Sequence, residues 1–208
     1  MNYVVLSPVG RTRRKYLARF IESLKQLDPP PREIVFCIDL DSKIKIDDKD
    51  ITVRYNPEMD CYHGELKRIC SAREILRKHF IYHRDNYELA LWIDSDIIVP
   101  PETPAVLKEK MDEENCLIVV NKYDGRSNNQ WCGSGLMLTH RHACTASRFW
   151  VGNIYDENGV EKHLSEDFVF FAIFDQGKPC FKSWAGKGRR VCAEYVRVEH
   201  LMEKRKHE

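Results

Sequence analysis

Apolar residues fall along this chain in two rhythms. The first is the short unbroken run: Tyr3–Leu6, Glu33–Asp39 (EIVFCID), Ile51–Tyr55, Leu89–Ile93, Cys116–Val120 and Leu136–Thr139. Runs of this length, rich in Val, Ile and Leu, predict strands covered on both faces. The second rhythm is helical. In RKYLARFIESLKQL, Leu17, Phe20, Ile21, Leu24 and Leu27 share one side and the charges take the other. In GELKRICSAREILRKHF the stripe is Leu66, Ile69, Leu76 and Phe80. ETPAVLKEKM predicts a short helix capped by Thr103 with Pro104 in its first turn. SEDFVFFAIFDQG predicts a capped helix that ends at Gly177. Ser7-Pro8 and Gly10 break the first strand, and Pro29 to Pro31 stop the first helix. The loops DSKIKIDDKD and NKYDGRSNNQWCGSG are polar and aperiodic, and in the tail Val196, Val198 and His200 share one parity.

Strands alternating with helices through the first half imply right-handed crossovers and a largely parallel, Rossmann-like α/β sheet flanked by helices. The second half is more mixed. No internal repeat or linker divides the chain, so one domain over residues 1–208 is expected.

Composition narrows the function. With 33 basic and 32 acidic residues the net charge is +1, which argues against a nucleic-acid binder built on phosphate contacts. No apolar run approaches the ~20 residues of a membrane span. The opening MNYVVLSPVGRTRRK lacks a signal-peptide pattern, so a cytoplasmic location is the expectation. The basic tail suggests at most peripheral contact with a membrane surface. The eight cysteines include no CxxC pair, and Cys37 and Cys116 lie in apolar runs as expected of buried structural thiols.

The candidate chemistry sits in LWIDSDIIVP, residues 91–100. Two aspartates, Asp94 and Asp96, end a run that reads as a buried strand, with no Lys or Arg inside the decapeptide. A carboxylate withdrawn from water needs a partner. Asp39 also falls at a predicted strand end, and ligands of parallel sheets bind beyond the carboxyl ends of the strands. Oxygen ligands of this kind suit magnesium or manganese, with coordination positions left for phosphates and water. Neither a P-loop nor a GxGxxG after a strand is present.

The IDSD after its apolar strand resembles the DxD motif of nucleotide-sugar glycosyltransferases with the GT-A fold. Further pieces resemble family 2 of those enzymes in order along the chain. They are YVVLSPVGRTRRKYLARFIESLKQL with EIVFCIDLDS, then SAREIL, GSGLMLTHRHA, SEDFVFF and VRVEH. The resemblance implies a nucleotide-binding half over 1–100 and an acceptor and catalytic half over 101–208. It implies a UDP- or GDP-linked sugar donor, an acceptor of unspecified kind and a divalent metal, manganese or magnesium. Carried over residue by residue, Asp96 would bind the metal, and Asp94 would contact the ribose or the metal through water. Asp39 would hydrogen-bond the base or ribose, Ser7 and Pro8 would line the nucleotide pocket, and Arg73 would balance the acids or the diphosphate. Asp167 would be the catalytic base, with Glu166 as the alternative, and His200 the last metal ligand.

Departures from the family pattern leave choices open. IDLDS makes Asp39 and Asp41 competitors for the nucleotide role, and the QxxRW of processive members is absent. Arg73 also reads as a helix-surface charge, and Arg11, Arg13, Arg14 and Lys15 read either as a solvated helix start or as a grip on phosphates. Trp131 is either a sugar-stacking residue or a loop anchor. Competing functions are a sugar-nucleotide pyrophosphorylase or other nucleotidyltransferase, a catalytically silent nucleotide-sugar binding module, and a DxDx[TV] phosphatase.

Overall fold

The apolar runs assemble as a seven-stranded sheet in a computed structural model, which describes residues 1–57, 64–83, 85–122, 135–149, 152–155, 161–164, 170–171 and 190–201. Strand β1 (Tyr3–Val9) lies inside the sheet, parallel to β2 (Glu33–Asp39) on one side and to β4 (Leu89–Ile93) on the other. Outside β2 runs β3 (Ile51–Asn56), also parallel. Past β4 and the two-residue β5 (Ile97–Ile98), the later strands are β6 (Ile118–Asn121), β7 (Leu136–His140) and β10 (Arg190–Ala193). Their order makes the sheet β10-β6-β7-β4-β1-β2-β3, and β7 runs antiparallel to both its neighbours. A separate hairpin pairs β8 (Gly152–Tyr155) with β9 (Glu161–Leu164).

Period-two alternation sends each strand's side chains to two cores. On one face Val5, Val9, Phe36, Ile38, Leu91 and Leu138 pack with Phe20 and Leu24 of α1 (Leu17–Lys25) and with Leu107 and Met111 of α3 (Thr103–Glu113). On the other, Val4, Leu6, Val35, Cys37, Trp92 and Met137 meet Cys70, Leu76 and Phe80 of α2 (Gly64–Tyr82) and Cys144 of α4 (Arg141–Ala146). Both faces are covered, which is why the strands read as continuous apolar runs. Trp92 is fully buried because its indole N–H finds the Thr139 hydroxyl at 2.9 Å. Cys37 and Cys116 are buried thiols as expected, and burial pushes the Cys37 thiol up to about 12. Cys192 is disulfide-bonded.

Several boundaries differ from expectation. Ser7-Pro8 does not end β1, which continues to Val9 along β2. Pairing with β4 stops at Leu6, so Pro8 lies where one flank has no ladder left to disturb. A 3-10 turn over Arg11–Tyr16 precedes α1, whose first residue is Leu17. Thr103 is the first helical residue of α3 rather than its cap, and its hydroxyl donates to the Pro100 carbonyl at 2.7 Å. Strand β6 starts at Ile118, two residues after Cys116. In α2 the buried stripe includes two polar residues, Arg73 and His79, which an apolar count passes over.

Candidate active site

Because β1 to β4 are parallel, their carboxyl ends share one edge of the sheet, and the predicted acids gather there. Asp39 closes β2 on the α2 side. It is 8% exposed, accepts from Asn56 Nδ2 at 3.1 Å, and its Oδ2 is 3.9 Å from Arg68 Nη1. Burial raises the Asp39 carboxyl above its ordinary range, against the Asn56 hydrogen bond and the Arg68 charge. Asp41 is more exposed and takes the closer contact from the same guanidinium, at 3.2 Å. Asn56 is itself fixed, donating to the Arg68 carbonyl and accepting from the Ser71 hydroxyl at 2.9 Å. Ser7 is fully buried, and its hydroxyl has no hydrogen-bond partner among the described residues.

The aspartate pair follows β4. The Asp94 backbone N–H donates to the Gly135 carbonyl at 2.8 Å, and Ile97 N–H returns to the Asp94 carbonyl at 3.0 Å. This tight turn separates the two carboxylates. Asp94 Oδ1 accepts from Arg73 Nη2 at 2.7 Å, and Arg73 is 3% exposed. Arg73 is therefore no surface charge; it is the counter-ion of Asp94. Asp96 turns elsewhere and is more deeply buried than Asp94. Its Oδ2 lies 3.0 Å from Arg13 Nη2 and 3.4 Å from His200 Nε2.

His200 reaches Asp96 through a long-range pairing. Strand β11 (Glu199–His200) runs antiparallel to β5, with His200 opposite Ile97, and Leu201 N–H donates to the Asp96 carbonyl at 2.8 Å. The preceding turn is anchored by Asn121 at the end of β6. Its Oδ1 accepts from the N–H groups of Tyr195 and Val196, and its Nδ2 donates to the Val196 carbonyl at 2.9 Å.

Asn121 was not singled out from the sequence; an Asn after five apolar residues signals only a strand end. Arg13 was grouped with a solvated helix start, whereas the 3-10 turn aims it at Asp96. Glu166, Asp167 and Trp131 lie outside the described residues. The edge thus brings together Asp39, Asp41 and Arg68 near β2, and Asp94, Arg73, Asp96, His200 and Arg13 beyond β4.

Among the described residues, no group of three or more His, Cys, Asp or Glu side chains is arranged to hold a metal. The Asp96–His200 pair supplies one carboxylate oxygen and one imidazole nitrogen at 3.4 Å. Ligands about 2.1 Å from a common ion can stand this far apart. Two protein donors of this chemistry suit a manganese or magnesium ion that takes its other ligands from phosphate oxygens and water.

No protein-family model matches the chain, and no curated protein matches it by sequence. Solved structures do. TarS of S. aureus in complex with UDP-GlcNAc superposes with a TM-score of 0.57 at 16% identity, over 100% of this chain and 60% of that one. Glucosyl-3-phosphoglycerate synthase from Mycobacterium tuberculosis, in complex with Mn2+, UDP and phosphoglyceric acid, gives 0.56 at 13% identity, over 98% and 72%. The same synthase with Mg2+ and UDP gives 0.55 at 12% identity. The chain spans 50–60% of the length of the TarS 1-349 chains it matches. At these identities the likeness is one of fold: the chain has the GT-A fold, with a mostly parallel central sheet flanked by helices.

Proposed function

We propose that this protein is a metal-dependent glycosyltransferase that moves a sugar from a nucleoside diphosphate sugar to an acceptor hydroxyl. The observation that carries the reading is the meeting of Asp96 and His200, which comes about only because β11 pairs with β5 at the carboxyl edge of the sheet. A buried carboxylate beside an imidazole, at the edge where such folds bind ligands, is a donor pair for a divalent ion. The ion would supply Lewis-acid neutralisation of the departing diphosphate. In this reading Asp96 and His200 hold it, and Arg73 fixes Asp94 toward the ribose side. Asp39, held by Asn56 at one oxygen and with Arg68 3.9 Å from the other, has acceptor capacity left for a donor on the base or ribose. Asp167, or Glu166 in its place, is proposed as the base that takes the acceptor proton. The neighbours solved with UDP-GlcNAc, or with UDP and Mn2+ or Mg2+, support this donor class and this ion class.

The test is hydrolysis of UDP- and GDP-linked sugars with and without manganese or magnesium. Turnover of at least one donor is expected with metal, and chelation should remove it. Asp96→Ala should lose it while keeping the native circular dichroism. Pyrophosphate release from a nucleoside triphosphate and a sugar phosphate would instead identify a nucleotidyltransferase.

A further inference from the structure

Arg13 has no part in the reading above, yet it makes the closest charged contact to Asp96. Its guanidinium Nη2 stands 3.0 Å from Asp96 Oδ2, the oxygen that also faces His200 Nε2 at 3.4 Å. The Asp96 side chain is only 4% exposed, so water screens little of this interaction. The 3-10 turn that carries Arg13 starts directly after β1, pinned by Arg13 N–H to the Gly10 carbonyl at 3.0 Å. The backbone is thus fixed at the sheet edge, and the long side chain, 21% exposed, reaches from it to Asp96. A divalent ion bonded to Oδ2 and a guanidinium on the same oxygen are like charges a few ångströms apart, and a buried site cannot hold both at full strength. An arginine released there has five N–H donors in a planar fork, a good match to phosphate oxygens.

Resting on the glycosyltransferase reading, we infer that Arg13 is an exchangeable counter-ion. It holds Asp96 until the divalent ion takes that oxygen, then transfers to the diphosphate of the arriving nucleotide. The ion and Arg13 compete for Asp96, while the nucleotide recruits both. Metal and nucleotide binding are thereby coupled through one side chain.

The two halves of this exchange move in opposite directions when Arg13 is neutralised. In Arg13→Gln, binding of Mn2+ alone, followed by the electron paramagnetic resonance of the unbound ion, should tighten by at least about fivefold. Binding of UDP or GDP in saturating Mn2+, followed by calorimetry, should weaken by about tenfold in the same variant, because a charge-assisted phosphate contact is lost. Arg13→Lys keeps the charge and should stay near wild type for Mn2+, separating charge from any loss of packing. If Arg13→Gln binds Mn2+ no more tightly than wild type, or binds the nucleotide equally well, the exchange is overturned while the metal reading stands. Asp96→Asn tests that reading separately. Should it bind Mn2+ with nucleotide as wild type does, the metal assignment fails, and the exchange with it.

Discussion

One strand, β2, carries a carboxylate at each end, and the two are treated in opposite ways. Glu33, at the start of the strand, is part of a closed network. Tyr87 donates to its Oε2 at 2.6 Å, and His79 Nε2 lies 3.2 Å from the same oxygen. Arg54 donates to His79 Nδ1, which leaves the imidazole proton on Nε2, pointing at Glu33. Burial alone would raise the Glu33 carboxyl, but the hydrogen bonds from His79, Tyr87 and Thr52 outweigh it and lower it to about 2. Asp39, at the far end, has one close donor among the described residues and is raised, chiefly by burial. Among the described residues, the carboxylate with fewer donors is the one at the ligand edge, as a nucleotide-reading residue would be. Glu33 gives a pH prediction with a definite sign. Its folded-state pKa lies below the unfolded value, so its contribution is complete above about 4.3 and is lost as the pH falls toward 2. Glu33→Gln should therefore be less stable than wild type near neutrality and lose less stability between these limits. Urea midpoints measured across the acid range check this; parallel curves for the two proteins would show that Glu33 carries no such linkage.

At the level of elements, the site depends on the shortest pairing in the fold. Strands β5 and β11 contribute two residues each, and their register sets His200 opposite Ile97. So small a ladder needs an outside anchor, and Asn121 provides it with three hydrogen bonds to the 195–196 backbone. Asn121→Ala removes the acceptor of one buried and one half-buried N–H group and should cost about 1–3 kcal/mol. A second readout is local: the Leu201 amide, bonded to the Asp96 carbonyl, should exchange its proton faster in the variant. Unchanged Leu201 protection would mean that β11 docks without Asn121. These elements also mark how far the pattern could be read. Strand Glu33–Asp39 and strand Leu89–Ile93 were legible to the residue, because strands buried on both faces are apolar throughout. So was the gathering of Asp39, Asp94 and Asp96 at one edge, which follows from parallel connections. Strand β5 has no periodic signal, and the shared parity of Val196, Val198 and His200 does not name the partner of β11, since each strand is defined by a distant one. Arg13 was grouped with a solvated helix start, and Arg73 was left between a surface charge and a balance to the acids, because their partners, Asp96 and Asp94, are contributed by another part of the chain. Buried ion pairs of this kind have no local pattern at all.

Across the whole molecule, the sheet converts sequence order into one working edge. The parallel strands β1, β2, β3 and β4 deliver Arg13, Asp39, Asn56 and Asp94 there, and the tail returns through β10 and the Asn121 anchor to add His200. Residues from the first twenty positions and the last ten thus meet at Asp96. A ligand bound at that point ties together both halves of the chain, so its binding energy should appear as global stability. For a ligand that binds only the folded state, the gain is about 2.7 kcal/mol at a hundred times its dissociation constant. In a chain of this size each kcal/mol raises the melting temperature by roughly 2–4 °C. UDP or GDP with manganese should then raise it by about 5–10 °C at such concentrations, a range that follows from those two relations. Chelation should remove the gain, and Asp96→Asn should show none. Differential scanning fluorimetry with each nucleotide, with and without manganese or magnesium, measures all of this. A shift of the same size without metal would leave the nucleotide site intact and remove the ion from it. No shift with any combination would remove the nucleoside diphosphate donor as well, because an edge built from both ends of the chain cannot bind its ligand without holding those ends together.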